Sequence, residues 1–525
     1  MKLIIHDLQI RIEKDGMDAY TESASQRLGL DSRNISILKI LSKSLDMKDE
    51  NRFYYILSLV ADVPDRFENI QNIPLFKEPV IPDKKTKAFK DRPIVIGFGP
   101  AGMFAALELI DHGLKPVIFD RGKGIEERSM DVQRFIETGR LNPESNVQFG
   151  EGGAGSFSDG KLFSRRNSNT GYVNRVLKTF IKFGAPHEIE YMSKPHLGTD
   201  VLCRIVRNIR LYILENGGDI YYSSKMTDIL ISGCKAMGVV INDEKEYLSS
   251  NIFIAPGHSA RDTFEMLHKK NVAMEQRPVS VGVRIEHPVE TINLMRYGKK
   301  YCKYDGLGAA AYSLNYTNRK NKRGVYTFCM CPGGEIVNAS SHDGMLVLNG
   351  MSYSNRGSAF SNAALAVTCH RGDYKSADPL AGIGFQMDIE QKAFRAGGKT
   401  WHVPAQNLLN FLKESHANEL NETSFRMGAV PCDLKEVLPE FAVTELLAAF
   451  DKWKKQVPLF ISEEAMLFAP ETRTSSPVRI LRNKDFVSQN IENLIPIGEG
   501  SGYTGGITSS AADAIKAVEA RVLAG

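Results

Sequence analysis

The stretch Val95-Ile96-Gly97-Phe98-Gly99-Pro100-Ala101-Gly102 constrains this chain more than any other segment. It completes a short apolar strand predicted at 94–96 and opens an Ala- and Leu-rich helix predicted at 101–112. A second apolar strand is predicted at 117–119, and Asp120 follows it at the spacing of about 20 residues that the motif requires. This order of strand, glycine turn, helix and strand predicts a parallel βαβ unit of the dinucleotide-binding type.

Each glycine of this turn has its own predicted role. Gly97 permits the tight turn, Gly99 lets the backbone approach a pyrophosphate, and Gly102 allows close packing of the helix on the strand. The start of the helix supplies N–H groups and partial positive charge to an anion. We expect Asp120 to accept hydrogen bonds from ribose hydroxyls.

A second formal match to the same pattern lies at 150–155, but the flanking residues are a poor strand and a poor helix start. We therefore predict that it is not a second dinucleotide-binding turn. Its glycines continue to Gly160 and are interleaved with Ser156, Ser158 and Lys161. Such a loop would let the backbone come close to a flat ligand, with a cation for its phosphates. A plain surface loop is the alternative.

A third glycine-rich stretch, 497–507, precedes the predicted C-terminal helix, which starts with Thr508-Ser509-Ser510. Backbone N–H groups at the start of that helix would face an anion. In a flavoprotein this anion is the N1–C2=O edge of the reduced flavin, and an acid such as Glu499 can hold the ribityl hydroxyls.

The composition narrows the classes of partner. The chain has 525 residues, which is too long for one domain of typical size. A formal net charge of +4 is too small to give a general affinity for nucleic acid or an anionic membrane. The 7 cysteines contain no CxxC pair, so we expect neither a disulfide framework nor a metal site. No stretch has the length of a membrane span or the features of a signal peptide, and a cytoplasmic location is expected.

The chain is predicted to divide into four segments. The first contains strands at 34–42 and 52–62, which the charged stretch 43–50 is predicted to join, and a linker with the basic run 83–87. The predicted segments are an N-terminal α/β module with its linker (1–90), the first part of the nucleotide-binding domain (91–270), a cap or substrate domain (271–465) and the C-terminal part of the nucleotide-binding domain (466–525).

These motifs converge on a known family. Across nearly its whole length the sequence resembles the bacterial FAD-dependent proteins labelled NAD(FAD)-utilising dehydrogenases, a branch of the glutathione-reductase-like flavoproteins. The motifs that carry the resemblance are VIGFGPAGMFAALEL, FGEGGAGSFSDGKL, KPHLGTD, IAPGHSARDTF, FCMCPGGEIVNASS, NGMSYSNRG, ETRTSSPVRI and IGEGSGYTGGITSSAADAIKA. The resemblance implies an α/β fold: a discontinuous Rossmann-like FAD-binding domain, an inserted α+β cap domain and a small N-terminal α/β module. We expect the FAD to be held non-covalently.

The resemblance also implies which residues contact FAD. Glu499 stands where many relatives in the wider superfamily carry Asp. The implied contacts are Gly97, Gly99, Pro100, Ala101, Gly102, Asp120, Arg121, Gly152, Gly153, Ser156, Lys161, Met226, Gly257, Gly498, Glu499, Gly505, Gly506 and Ile507.

Three residues are candidates for catalysis. Arg473 could clamp a carboxylate or phosphate of the substrate bidentately, or it could pair with Glu471 or with an interdomain acid. His196 and His258 could each move a proton beside the flavin, and a structural role is the alternative for both.

Cys329 and Cys331 would share one face of a strand. A redox pair is conceivable there, but the ring closed by such a disulfide is small and strained. We therefore expect two reduced thiols packed near a ligand.

The leading functional hypothesis is a FAD-dependent oxidoreductase. It would transfer a hydride between flavin N5 and a small organic substrate, anionic if Arg473 holds it, in the cleft between the FAD domain and the cap. The alternative is a FAD-dependent protein that modifies or binds RNA or protein and docks through its N-terminal module, although the small net charge argues against nucleic acid. A FAD-stabilised protein without turnover is a third hypothesis. Because the chain offers one dinucleotide-binding turn, we expect electrons to come from the substrate or an electron-donor protein rather than from NADH or NADPH.

Overall fold

The structure is a computed structural model. It describes residues 1–70, 72–78, 89–162, 170–415 and 419–524. The basic run predicted within the linker, 83–87, lies outside these residues. Within the described ranges, none of the helices combines the length and the apolar character needed to span a bilayer.

A three-stranded antiparallel sheet and one helix form the N-terminal module. The strand order is β1-β3-β2, and the helix packs on the sheet through Tyr20, Ala24 and Leu28. The second strand pairs with the third as far as Asp46, so the connection predicted from residue 43 begins too early. An antiparallel strand tolerates these polar residues because one of its faces meets solvent. The elements are β1 (Lys2–Arg11), α1 (Met17–Leu28), β2 (Ser36–Asp46) and β3 (Tyr54–Asp62).

The next segment contains the predicted βαβ unit. Its first helix begins with Pro100, whose fixed φ suits the first turn, and ends before Gly113, which has a φ of 74°. The elements are β4 (Ile94–Ile96), α2 (Pro100–Asp111), β5 (Val117–Phe119), α3 (Ile125–Thr138), α4 (Thr170–Lys182), α5 (Thr199–Glu215), β6 (Asp219–Tyr221), β7 (Met226–Ser232), β8 (Lys235–Ile241), β9 (Lys245–Leu248), β10 (Ile252–Ile254) and α6 (Arg261–Lys269). Strands β7, β8 and β9 form an antiparallel sheet of their own.

The cap follows as an α+β domain. Its elements are β11 (Met274–Gln276), β12 (Ser280–Pro288), α7 (Val289–Tyr301), β13 (Asn315–Thr317), β14 (Gly324–Cys331), β15 (Glu335–Asn338), β16 (Leu348–Met351), β17 (Phe360–Thr368), α8 (Ala381–Ala396), β18 (Val403–Asn407), α9 (Leu408–Phe411), β19 (Ala429–Pro431), α10 (Glu440–Gln456) and β20 (Met466–Glu471). Seven of the strands form one mixed sheet in the order β13-β14-β17-β12-β20-β18-β19. Its core includes Val283, Leu365 and Trp453, all fully buried.

Strand β20 lies inside the cap sheet, where it pairs with β12 and β18. The predicted boundary at 465 therefore falls one strand too early. The pairing joins strands far apart in sequence, and a local pattern does not report such pairing.

The chain then returns to the first domain. Strand β21 (Val478–Ile480) pairs with β11, β22 (Leu494–Pro496) pairs with β10, and α11 (Ile507–Ala524) packs along α2.

Strands from both segments meet in one parallel sheet, in the order β22-β10-β4-β5-β6. Strands β4 and β5 are parallel neighbours, which confirms the predicted βαβ unit. Val95, Ile118, Phe253 and Ile495 are fully buried, as in a parallel sheet covered on both faces. The predicted fold class is confirmed: a discontinuous α/β domain, an inserted α+β cap and a small N-terminal α/β module. The turns after β4, β5, β10 and β22 all lie at the carboxyl edge of the sheet, where α/β proteins bind ligands.

The N-terminal module is built into the cap. Phe53 is buried and stacks on Tyr301 of α7, with 4.4 Å between the ring centroids. The Tyr301 hydroxyl donates to Glu13 Oε1 at 2.9 Å. Removing this module would expose part of the cap core, so it is not a separable appendage.

Candidate active site

A cavity of about 1470 Å³ lies between the carboxyl edge of the parallel sheet and the cap. The turns after β4, β5, β10 and β22 line one side, and the cap strand β14 lines the other. The predicted site residues that line it are Gly97, Gly99, Pro100, Ala101, Asp120, Arg121, Gly153, Lys161, His196, Met226, Gly257, His258, Arg473, Glu499, Gly505, Gly506 and Ile507. The structure thus brings together residues that lie up to 410 positions apart in the sequence.

The first glycine turn is held by its own backbone. Gly97 has a φ of 89°, and its N–H donates to the carbonyl of Phe119 at 2.8 Å. Gly99 has an ordinary φ of −80°, and a Cβ there would come no closer than 3.5 Å to the nearest non-adjacent atom, the Cα of Gly153. Protein packing therefore does not require glycine at position 99. The absence of a side chain there leaves the space in the cavity for a ligand.

Asp120 ties this turn to the neighbouring strand. Its Oδ2 accepts from the N–H of Phe98 at 2.7 Å, and its Oδ1 accepts from the N–H of Gly122 at 2.8 Å. Each carboxylate oxygen can accept one more hydrogen bond, so the predicted contact with ribose hydroxyls stays a prediction.

Arg121 is engaged in ion pairs. Its Nη1 and Nη2 donate to the two carboxylate oxygens of Asp262 at 2.9 and 2.7 Å, and its Nε donates to Glu144 at 2.6 Å. The guanidinium also lies over the ring of Phe149. Arg121 therefore lines the cavity as part of a charge network, and its contact with FAD stays a prediction.

A buried arginine shapes the second glycine loop. This loop contains a short 3-10 helix, Gly153–Phe157, and no strand precedes it, which agrees with the prediction that it is not a second dinucleotide-binding turn. Arg128 of α3 is fully buried and donates to the backbone carbonyls of Asn146, Val147, Gly150, Glu151 and Gly153. Sequence reasoning missed Arg128. The available signal was its position in the apolar stripe that Ile125, Val132 and Phe135 form on α3.

Four predicted cofactor contacts do not line the cavity: Gly102, Gly152, Ser156 and Gly498. A Cβ on Gly102 would overlap the carbonyl oxygen of Gly97, and a Cβ on Gly152 would overlap Ser156 Oγ. Gly498 has a φ of 71°, and its N–H donates to Asp513 at 3.0 Å. The three glycines are thus required by close packing, and the predicted contacts of all four residues with FAD stay predictions.

The third glycine stretch brings the start of α11 to the cavity. Glu499 Oε2 accepts from the N–H of Gly506 at 3.5 Å. Burial raises the pKa of Glu499 to about 7, against the opposing effects of the Gly506 N–H and Arg277. Near neutral pH this carboxyl can therefore hold or release a proton.

The residues around the turns fit FAD. Gly257 and Gly506 have φ values of 74° and 98°, and apart from their chain neighbours no atom of the described residues lies within 4 Å of a Cβ position there. A side chain at either position would therefore enter the cavity. The starts of α2 and α11 both line it and offer N–H groups to an anionic or polar ligand. Met226, also predicted as a contact, lines the cavity at the start of β7.

Arg473 pairs with an acid of the cap. Its Nε and Nη2 donate to the two oxygens of Glu390 at 3.0 and 2.9 Å. Arg261 donates to the same carboxylate at 2.8 Å. Burial alone would raise the pKa of Glu390, but the two arginines outweigh it and lower that pKa to about 2. The interdomain acid is therefore the partner of Arg473, and the substrate clamp stays a prediction. Glu471, the other proposed partner, pairs with Arg284 at 2.9 Å.

His258 and His196 are both neutral at pH 7. Burial, assisted by Arg473 at His258 and by Arg356 at His196, lowers the pKa of each imidazole to about 4. His258 Nδ1 lies 2.8 Å from Ser259 Oγ. Such weakly basic imidazoles are poor proton acceptors at neutral pH.

Lys161 belongs to the cap end of the cavity. Its Nζ lies 2.7 Å from Asp159 Oδ2, and Arg356 Nη2 lies 3.2 Å from the same oxygen. Burial lowers the pKa of Lys161, but Cys331 and Asp159 outweigh this effect and raise it. The structure thus pairs Lys161 with a carboxylate near the cap instead of leaving it free for the predicted contact with cofactor phosphates.

Cys329 and Cys331 are free thiols at a bulge of β14. The Cys331 thiol donates to the carbonyl of Cys329 at 3.2 Å. Burial raises the pKa of both thiols, that of Cys331 to about 12, so both are protonated at neutral pH. Cys329 lines the cavity.

Comparisons with known proteins found a family and a relative. Residues 278–474 match the family described as FAD-dependent protein, C-terminal domain-like. An uncharacterized protein of Clostridium beijerinckii is 40% identical over 534 residues, which cover 99% of this chain and 98% of that protein.

Solved structures of FAD proteins also match. A mutant of the halogenase PltM in complex with FAD matches over 82% of this chain and 69% of its own, at 10% identity and a TM-score of 0.37. The open conformation of a flavocytochrome c3 fumarate reductase matches over 82% of this chain and 77% of its own, at 10% identity and a TM-score of 0.34.

The matched family is FAD-dependent, and the glycine-lined cavity fits that cofactor. FAD is therefore the cofactor of this flavoprotein, and the chain belongs to the same family as the Clostridium beijerinckii protein.

Proposed function

We propose that this flavoprotein is an oxidoreductase that transfers a hydride between FAD and a small organic substrate, as the dehydrogenase label of the resembling family suggests. The observation that carries this proposal is the continuity of the cavity, which runs from the glycine turns to Cys329 of the cap. Its volume of about 1470 Å³ exceeds the roughly 300–1,000 Å³ of typical ligand sites. A substrate therefore has room beside the cofactor.

The chain itself contributes positioning and electrostatics. FAD, when bound, supplies a hydride acceptor or donor at N5 of its flavin. The N–H groups at the starts of α2 and α11 stabilise negative charge in the cavity. Tyr326 and Phe328 of β14 form part of the cap side of the cavity.

Glu499 is the best candidate for moving a proton. Its pKa of about 7 lets its carboxyl donate or accept near neutral pH, whereas His196 and His258 have pKa values of about 4. Glu499 therefore replaces the two histidines as the proposed acid or base of the reaction.

Anaerobic reduction of the bound flavin tests this proposal. The oxidised protein is mixed with panels of hydroxy acids, amino acids, alcohols and amines, and the visible absorbance of the flavin is followed. We expect saturable bleaching by one class, with a pH profile that the Glu499→Gln variant flattens. If no class bleaches the flavin, and no enone or keto acid reoxidises the dithionite-reduced protein without oxygen, the proposal is wrong.

The alternative, docking to RNA or protein through the N-terminal module, stays a prediction. An electron-donor protein stays a prediction.

A further inference from the structure

We propose, resting on the function above, that the cap end of the cavity binds the carboxylate of a small organic acid through Lys161, Arg356 and Tyr312. This names the substrate class of the proposed oxidoreductase. It also replaces Arg473 as the residue that recognises a substrate anion.

The local charge favours an anion. Asp159 is buried, and its carboxylate is shared by Lys161 at 2.7 Å and by Arg356 at 3.2 Å. The hydroxyl of Ser352 donates a hydrogen bond to the same carboxylate and adds no charge. Two cations on one carboxylate leave one positive charge in excess. A monocarboxylate would neutralise this excess, which the partly exposed side chains of Lys161 and Arg356 carry.

The surrounding groups do not supply the missing negative charge. Glu471 lines the cavity nearby, but its charge is met by Arg284 at 2.9 Å. His196 is neutral because its pKa is about 4, and the thiols of Cys329 and Cys331 are protonated because burial raises their pKa values.

Unpaired polar atoms mark the same place. Arg356 Nε, the hydroxyl of Tyr312 and His196 Nδ1 are buried and have no hydrogen-bond partner among the described residues. All three side chains line the cavity. Buried polar groups in folded proteins are nearly always paired, so three unpaired atoms in side chains that line one cavity indicate a polar ligand.

The backbone of Arg356 is also unusual. Its φ is 50°, in the left-handed region that residues other than glycine rarely adopt. Such a conformation persists where the surroundings hold it, and it is often found at ligand sites. The strained backbone therefore coincides with the excess charge and the unpaired donors.

Ligand binding to the oxidised holoprotein tests the subsite separately from turnover. Propionate and benzoate are titrated against the uncharged propionamide and benzamide, and the shift of the flavin absorption bands gives each Kd. We expect at least one carboxylate to bind at least about tenfold tighter than its amide, because hydrogen bonds to charged groups are worth about 1.5–3 kcal/mol. Lys161→Gln and Arg356→Gln should each raise the Kd for that carboxylate by about 10- to 100-fold and leave the FAD content unchanged.

Two further variants keep the test decisive. Lys194→Gln removes an exposed cation that also lines the cavity and should leave the Kd unchanged. Tyr312→Phe should weaken binding of the carboxylate. It should also raise the melting temperature of the ligand-free protein, because it removes an unpaired buried hydroxyl. Equal binding of acids and amides, or loss of FAD in Lys161→Gln, would overturn the subsite. Carboxylate binding without reduction of the flavin by any reductant would instead overturn the proposed function and leave the subsite standing.

Discussion

The Gly99→Ala variant distinguishes whether glycine at this position is required for packing of the protein or for binding of FAD. The new Cβ would lie 3.5 Å from the Cα of Gly153, an ordinary van der Waals distance, and the φ of −80° suits alanine. The reduced entropy of the unfolded chain stabilises such a variant by about 0.4–1 kcal/mol. Alanine is a poorer helix N-cap than glycine, which offsets that gain. We therefore expect the free energy of unfolding of the apoprotein to lie within about 1 kcal/mol of the wild-type value.

The cofactor should respond differently. The methyl group enters the space where the pyrophosphate must approach, and overpacking of this kind costs about 1–3 kcal/mol. The Kd for FAD should rise by about 5- to 150-fold, and Gly99→Val should bind FAD more weakly still. Gly102→Ala is the matched contrast: its Cβ would overlap the Gly97 carbonyl oxygen and lie 2.9 Å from the carbonyl carbon, so the apoprotein itself should lose stability.

Chemical unfolding of the apoproteins and calorimetric titration with FAD measure both quantities. A Gly99→Ala protein that binds FAD as tightly as wild type would refute the assignment of this turn to the pyrophosphate. A Gly99→Ala apoprotein that unfolds as easily as Gly102→Ala would refute the packing argument.

Three other outcomes are expected. Acid precipitation should release all the flavin into the supernatant, because the glycine cradle provides no evident covalent tether; colour left on the pellet would contradict this. NADH and NADPH should reduce the flavin slowly and without saturation in anaerobic stopped-flow mixing, and rapid saturable bleaching by either would show that a nicotinamide enters the cleft. Glu390, whose pKa falls from 4.5 to about 2 on folding, should contribute about 3 kcal/mol of stability above pH 4.5, which is lost as the pH falls towards 2. Glu390→Gln should cost about 3–5 kcal/mol at pH 7 and remove that acid dependence, as urea unfolding across pH would show.

Local signals were sufficient for the nucleotide-binding half of the site. The apolar runs at 94–96 and 117–119 became β4 and β5 with those bounds, and the helix between them begins at Pro100. Buried parallel strands need continuous apolar residues, and glycine and proline mark the turns, so a window of about 30 residues contained the whole βαβ unit. The same holds for Gly506, whose open position in the cavity follows from a glycine-rich segment before the predicted C-terminal helix, whereas Gly257 was implied by the family resemblance.

The partners of the charged side chains depend on which distant segments meet, and no local pattern contains that information. The sequence offers Arg473 as a candidate clamp, but the guanidinium pairs with Glu390, which lies 83 residues away in the chain. Lys161 pairs with Asp159, two residues before it, but the second cation on that carboxylate is Arg356, which follows Asp159 by 197 residues. Strand β20 entered the cap sheet by pairing with β12, almost 200 residues earlier in the chain. The sequence therefore determined that the chain binds a dinucleotide cofactor and where, because that site is built from local backbone conformation. Only the tertiary structure decided which charged side chains pair with each other across the fold and which keep an excess of charge. The reason is that the partner of a charged side chain is whichever group packs against it.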